Sequence, residues 1–262
     1  MISEEIELPG RLSMDDSSIS RPRITLIILA LNEERNLPHV LPRIPPIVDE
    51  VLLVDGHSTD NTIALAKELC PRIRIVFQGG KGKGDAIRCG IKSAIGDIVV
   101  TLDADGSMAP EEIERFVEPL LKGYQFVKGS RFLPGGGTYD MELHRRLANK
   151  AFILLVNLLY RGRYTDLCYG YNAFWLDALK GVEISSDGFE IETELNVKIL
   201  KERLKVTEVP SREEARLNGK SRLKAFPVGL RILKTIFSNL NRDGKNTSAK
   251  ARDAAKRVIE SE

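Results

Sequence analysis

The segment "DIVVTLDADGSMAPEEI", Asp97–Ile113, carries two carboxylates, Asp103 and Asp105, one residue apart behind the apolar run Ile98–Leu102. In extended chain, side chains alternate with period two, so residues i and i+2 aim the same way. Two like charges this close repel, and one takes up a proton unless a cation lies between them. A hard divalent ion with oxygen ligands, Mg²⁺ or Mn²⁺, resolves that conflict, and such ions commonly keep waters and bind a substrate's phosphates. Taken alone, the pair also reads as a solvated turn in which Asp105 caps the helix opening at Pro110.

Basic groups form three further clusters. "GGKGKGDA", Gly79–Ala86, has the glycines for close backbone approach and lysines to offset phosphate charge. It is not a Walker loop, because Asp85 stands where Lys is required, and Ile87 replaces the third glycine of a dinucleotide fingerprint. Arg131, Arg145 and Arg146 have guanidinium groups suited to bidentate phosphate contacts. On one helix, Arg145 and Arg146 point about 100° apart, so at most one of them faces a site. "NGKSRLK", Asn218–Lys224, is the third cluster. Each also reads as a solvated loop or helix face.

Two acidic features stand near aromatic residues. Asp166 precedes Tyr169, Tyr171, Phe174 and Trp175; if buried it needs a partner, which makes it structural or functional. Glu190, Glu192 and Glu194 alternate in a segment with helical spacing, so at least one faces inward. His39, His57 and His144 have no metal-ligand spacing, and neither GxSxG nor HExxH occurs.

The elements that position these groups follow a rhythm. Strand-like runs at Ile24–Leu31, Val48–Asp55, Ile73–Gln78, Asp97–Asp103 and Phe126–Ser130 alternate with helical segments near Glu34–Leu41, Ser58–Leu69, Gly84–Ile95 and Pro110–Leu121. Pro110 with acids behind it marks a helix start. Alternating apolar strands and helices predict a mostly parallel sheet covered on both faces. In such sheets ligands bind outside the carboxyl ends of the strands. Those ends carry Asn32 and Glu33, Asp55, Lys81 and Lys83, Asp103 and Asp105, and Ser130 and Arg131. Beyond residue 131 the sequence predicts helices over Met141–Tyr160, Phe189–Leu204 and Val228–Asn239, a short strand Lys205–Pro210, and a basic loop Ser211–Phe226. Residues 1–22 read as a flexible leader, 23–240 as a single domain, and 241–262 as a charged tail.

Bulk composition excludes several classes. A net charge of +2 gives no global field for nucleic acid. The acidic N-terminus lacks the basic start and apolar core of a signal peptide. "LANKAFILLVNLLY" is too short and interrupted to span a bilayer. Three cysteines without CxxC spacing suggest reduced thiols and a cytoplasmic setting. The amphipathic stretch Leu147–Tyr160, flanked by Arg161 and Arg163, reads either as a helix packed on the domain or as one lying on an anionic membrane surface.

In order along the chain, "ALNEERNL", "LLVDGHSTDNT", "GKGKGDAIRCG", "TLDADGS", "KGSRF", "TDLCYGYNAFW", "FEIETEL" and "NGKSRL" resemble family 2 glycosyltransferases of the GT-A fold, most of all the dolichyl- and polyprenyl-phosphate sugar synthases. The resemblance spans roughly residues 23–235. It implies a Rossmann-like α/β fold and inverting transfer of a sugar from a UDP- or GDP-sugar donor to a lipid phosphate at a membrane surface. Leu31, Glu33 and Asp55 would hold the nucleoside and Lys83 would lie near the pyrophosphate. Asp103 and Asp105 would coordinate Mg²⁺ or Mn²⁺. Arg131, Arg145, Lys220, Ser221 and Arg222 would hold the acceptor phosphate or close over the donor. Asp166 and Glu192 match carboxylates near the acceptor side. A lipid phosphate is already anionic and needs no strong base; a hydroxyl acceptor would need Asp166 or Glu192 to take its proton. Ala30-Leu31 replaces a proline and tyrosine common in the family, and His57 occupies a position often held by Ser or Gly; donor identity therefore stays open. A soluble transferase with a hydroxyl acceptor, a nucleotidyltransferase and a non-catalytic nucleotide-sugar sensor are the competing classes.

Overall fold

The computed structural model describes residues 21–139, 141–219 and 224–240. Residues 1–20 of the expected leader and the whole expected tail therefore lie outside the described residues, as do Lys220, Ser221 and Arg222.

Five strands follow the apolar runs: β1 (Ile24–Ala30), β2 (Glu50–Asp55), β3 (Arg74–Phe77), β4 (Ile98–Asp103) and β5 (Phe126–Ser130). The helices between them are α1 (Leu37–Val40), α2 (Thr62–Leu69), α3 (Lys83–Ser93) and α4 (Ile113–Leu121). The predicted helix at Glu34–Leu41 is cut to one turn. Pro38 sits at its start, where a missing N–H costs nothing, and Pro42, Pro45 and Pro46 prevent its extension. The second half adds β6 (Gly137–Thr138), α5 (Leu143–Tyr160), β7 (Asn172–Trp175), α6 (Ile191–Lys201), β8 (Val206–Pro210), β9 (Arg212–Glu213) and α7 (Ala225–Leu240).

The central sheet has seven strands in the order β3-β2-β1-β4-β7-β5-β8. All pairings are parallel except those of β7, which runs antiparallel between β4 and β5. β7 was not foreseen: "NAFW" lacks turn signals on both sides, and its aromatics read as packing. The chain leaves β1 in both directions, first toward β2 and β3, then toward β4. That reversal opens a crevice at the carboxyl ends of β1 and β4, where doubly wound sheets bind ligands.

Alternation sorts each strand's side chains between two cores. Leu26 and Ile28, Val51 and Leu53, and Val100 and Leu102 pack with Phe116 and Val117 of α4 on one face. Ile27, Leu52, Val54 and Val99 pack on the other face with Ala86 of α3 and Leu195 and Ile199 of α6. Helices thus cover both faces, as the apolar strands require. A third cluster joins α5, α6 and α7 through Phe152, Val156, Val197, Val228, Ile232 and Ile236. Among the described residues no helix is long and apolar enough to cross a membrane, and all three cysteines are free thiols.

Candidate active site

Register brings the acidic strand ends onto one rim. Asp55 lies beside Ala30, and Asp103 beside Leu29. Asp55 is fully buried and accepts hydrogen bonds from the Ser58 backbone N–H (2.8 Å) and the Ser58 hydroxyl (2.5 Å), which fixes the turn after β2. A groove of about 400 Å³ runs over this rim, lined by Leu31, Glu33, Gly56, Lys83, Asp103 and Asp105 among others. Asp55 itself lies behind the lining.

Lys83, the first residue of α3, donates to Asp103 Oδ2 at 2.8 Å. Its Nζ also lies 3.2 Å from Glu192 Oε1 of α6. Burial works against the Lys83 ammonium, but Asp103 and Glu192 outweigh it and raise its pKa above the ordinary lysine value. Burial pushes the Asp103 carboxyl up to about 6; Lys83 opposes this, while Asp105 and Glu192 add to it. Gly170 permits the arrangement, since a Cβ there would meet Lys83 Nζ at 2.5 Å and Glu192 Oε1 at 2.9 Å.

Asp105 Oδ1 accepts from the Ser107 N–H (3.0 Å) and hydroxyl (2.7 Å). Its Oδ2 pairs with Arg216 at 3.0 Å, and the same guanidinium bonds Glu33. Arg216 thereby ties the loop after β9 to the ends of β1 and β4. Arg216 lies in the basic loop Ser211–Phe226 but outside the cluster Asn218–Lys224, and nothing in its spacing singles it out in the sequence. Among the described residues no third His, Cys, Asp or Glu joins Asp103 and Asp105 in a group able to hold a metal alone. The pair nonetheless fits a hard divalent cation: it offers carboxylate oxygens, its mutual repulsion already raises the Asp103 pKa, and the remaining ligands of such an ion are commonly water and phosphate.

The structure joins Arg131, which the resemblance has holding the acceptor phosphate or closing over the donor, to Asp166, a carboxylate it puts near the acceptor side. Arg131 Nε lies 2.7 Å from Asp166 Oδ2 and its Nη2 lies 2.9 Å from Oδ1, a bidentate pair with Asp166 fully buried. Arg131 Nη1 donates to Glu213 Oε2 at 3.0 Å. Asn149 and the Cys168 N–H also donate to Asp166 Oδ1. Burial opposes the Asp166 carboxylate, yet the Arg131 guanidinium holds its pKa below the usual value. Asp166 lines neither groove, so its oxygens face Arg131 and not a ligand. This answers why a buried aspartate stands there.

A second groove, of about 420 Å³, opens between α5 and α7. Phe152, Phe189, Phe226, Leu230 and Leu233 make it apolar, while Lys83, Arg131, Arg145 and Glu192 close its inner end. Lys83, Arg131, Arg145, Cys168 and Phe189 border both grooves. Of the arginine pair on α5, Arg145 faces the grooves and Arg146 lies over the Phe132 ring at 5.9 Å, so one of the two faces the site as helical spacing predicts. All three alternating glutamates are buried. Glu194 is held by Ser185, Ser186 and Lys198; Glu192 accepts from Asn172 of β7 at 3.2 Å.

Comparison with known proteins matches this architecture. The profile of Glycosyl transferase family 2 matches residues 25–181. Glycosyltransferase AglJ of Haloferax volcanii is 35% identical over 64% of this chain and 55% of its own length. Dolichol-phosphate mannosyltransferase of Pyrococcus furiosus is 32% identical over 83% of this chain and 62% of its own. The chain thus spans less than two thirds of these two relatives. Polyprenol monophosphomannose synthase of Mycolicibacterium smegmatis is 30% identical over 75% of this chain and 80% of its own. Among solved structures, glucosyl-3-phosphoglycerate synthase of Mycobacterium tuberculosis with Mn²⁺ and UDP superposes with a TM-score of 0.68 over 86% of this chain and 82% of its own, at 24% identity, a likeness of GT-A fold. On the strength of the profile and the archaeal and mycobacterial relatives together, this chain belongs to glycosyltransferase family 2 and resembles its polyprenyl-phosphate sugar synthases.

Proposed function

We propose that the protein transfers a sugar from a nucleotide-sugar donor to a polyprenyl-type phosphate, with inversion and with a divalent cation. One observation carries this reading: the acidic donor groove and the apolar groove meet at Lys83, Arg131 and Arg145. A diphosphate and a phosphate monoester with an apolar tail are the ligands that such a junction fits.

Glu33, Leu31 and the turn after Asp55 form the nucleoside end of the donor groove. Asp103 and Asp105 would hold Mg²⁺ or Mn²⁺, which when bound supplies charge neutralisation to the diphosphate leaving group. Lys83 stands against Asp103 and adds a fixed positive charge where the leaving group gains negative charge. Arg145 lines both grooves and, among the described residues, has no ion-pair partner; it is the cation for the acceptor phosphate. Arg131 is committed to Asp166 and Glu213 and serves as a rigid positive wall. A phosphate oxygen attacks the anomeric carbon as the bond to the nucleoside diphosphate breaks, and the leaving diphosphate takes that electron pair. The anionic nucleophile has no proton to lose.

Glu192 favours a second reading. It lines the apolar groove, and its Oε1 makes no hydrogen bond although Lys83 is within ion-pair reach. A hydroxyl acceptor would give its proton to this oxygen. Incubation with radiolabelled nucleotide sugars, Mn²⁺ and a prenyl phosphate separates the readings. Label extracted into organic solvent, with nucleoside diphosphate released, supports the lipid phosphate. Label that stays in water while nucleoside diphosphate is released points to a hydroxyl acceptor, and pyrophosphate released in a parallel incubation with a nucleoside triphosphate and a sugar phosphate points to a nucleotidyltransferase.

A further inference from the structure

The face of the sheet that packs on α6 changes character along three neighbouring strands. Val99 of β4, Phe174 of β7 and Phe126 of β5 stand side by side in register, and all three fill the core shared with α6. Two residues nearer the carboxyl ends of β4 and β5, the next row on that face is Thr101, Asn172 and Lys128. These three are polar, yet none is more than 2% exposed. An apolar row would suit the core better, because a buried polar group costs free energy unless it is hydrogen-bonded, and a buried charge costs more. Lys128 carries the largest penalty. Among the described residues it makes no salt bridge, and burial lowers its pKa although Asp166, Glu192 and Glu208 oppose the shift.

The hydrogen bonds show what the row does. The Lys128 ammonium donates to the Tyr169 carbonyl at 2.5 Å and lies 3.4 Å from the Asn172 amide oxygen. Asn172 turns its Nδ2 to the Gly170 carbonyl (3.1 Å) and to Glu192 Oε2 (3.2 Å). A flipped amide would set its oxygen against those two oxygens and its NH₂ against an ammonium, so the Lys128 charge locks one orientation. With Oε2 held by Asn172, the other oxygen of buried Glu192 faces Lys83 at 3.2 Å. Lys83 has a second anion in Asp103, but that carboxylate is one a divalent cation would claim. Glu192 is then the group that keeps the ammonium where the two grooves meet. We infer that Asn172, locked by Lys128, is a positioning residue for transfer: it turns the Glu192 carboxylate so that Oε1 holds Lys83 at the junction of the grooves. Its effect on rate rests on the transfer reading above; its hold on Glu192 does not.

The test uses the full chain, Mn²⁺, a nucleotide sugar and a short-chain, water-soluble prenyl phosphate, and follows release of nucleoside diphosphate. Asn172→Leu removes the amide at similar size. It should lower kcat by about tenfold or more, as misplacement of a group at the site does, while the nucleotide-induced thermal shift persists. In a Glu192→Gln background the same substitution should cost nothing further, because a residue that acts through Glu192 has nothing left to position. A crystal structure of Asn172→Leu should show Glu192 Oε1 turned away from Lys83. Should Asn172→Leu fail to fold, Lys128→Met removes the charge that locks the amide and should give the same pattern. Unchanged kcat in the variant would overturn the inference. So would an equal loss in both backgrounds, the mark of a merely structural role, or Glu192 Oε1 still 3.2 Å from Lys83. A wild type that releases no nucleoside diphosphate from any nucleotide sugar would refute the transfer reading, and the variant's crystal structure would still decide whether Asn172 orients Glu192.

Discussion

Asp103 bears the sharpest electrostatic conflict at the residue scale, because burial, Asp105 and Glu192 all favour its protonated form and Lys83 alone among its main neighbours opposes them. Replacing it by Asn removes a charge that the fold would rather not carry, so stability should be nearly unchanged, while donor-linked metal binding should vanish. Loss of several kcal/mol of leaving-group stabilisation corresponds to a fall in kcat/KM of about 10²-fold or more. Steady-state kinetics with a Mn²⁺ titration would check this, and full activity of Asp103→Asn would refute the metal assignment. Asp166 is the contrasting case. Asp166→Ala leaves the Arg131 guanidinium buried with only Glu213 against it, and breaking a buried pair this way costs about 3–5 kcal/mol, measurable by urea denaturation. The pH dependence has a defined sign. The folded Asp166 pKa lies below its ordinary 3.8, so between those values the unfolded chain binds more protons and acid destabilises the fold. Asp166 therefore contributes stability that is present above about pH 3.8 and lost as pH falls through the folded value. Asp166→Asn should flatten that acid limb; an unaltered limb would mean the pair is energetically idle.

Elements decide whether these residues meet, and α3 is the most exacting. Gly82 caps it at φ 89°, and a Cβ at Gly84 would fall 2.0 Å from the Ser186 carbonyl oxygen. The Gly84 N–H donates to the Asp187 carbonyl at 2.8 Å, so the start of α3 docks on the loop that leads into α6. That contact brings Lys83 to Glu192. Gly84→Ala should separate the two segments, destabilise the fold by about 1–3 kcal/mol as overpacking does, and lower activity beyond what reduced stability explains. Thermal unfolding and kinetics on the same preparation would show both effects; a variant with wild-type Tm and rate would mean the loop yields freely. The glycines of "GKGKGDA" were legible as permitting close approach, but the backbone they approach lies about a hundred residues on and could not be read from spacing. The same limit explains the other gaps. Asp103, Glu33 and Asp55 were legible because parallel strands of similar length end on one rim. The Arg131–Asp166 pair depends on β7 turning antiparallel between β4 and β5, and "NAFW" carries no period that announces it. Arg216 reaches Glu33 and Asp105 through β9, two residues long and paired with an equally short β6, below the length at which alternation can register.

At the scale of the whole molecule, two grooves adjoin each other: one over the switch between β1 and β4 of the seven-stranded sheet, the other between α5 and α7. They share a cationic border, so each ligand should find part of its site already built without the other. A nucleotide at a hundred times its dissociation constant adds about 2.7 kcal/mol to apparent stability, which for a chain of this size corresponds to a Tm rise of roughly 5–10 °C. A screen of UDP- and GDP-sugars should therefore single out one base by thermal shift. If Asp103 and Asp105 hold the cation, the shift should need Mn²⁺ or Mg²⁺, disappear with chelator, and be absent in Asp103→Asn, while a short-chain prenyl phosphate still raises the Tm of that variant through Arg145 and the apolar groove. A nucleotide shift of equal size with and without chelator would separate donor binding from the acidic pair. Loss of the prenyl-phosphate shift in Asp103→Asn would show that the two grooves are one cooperative site.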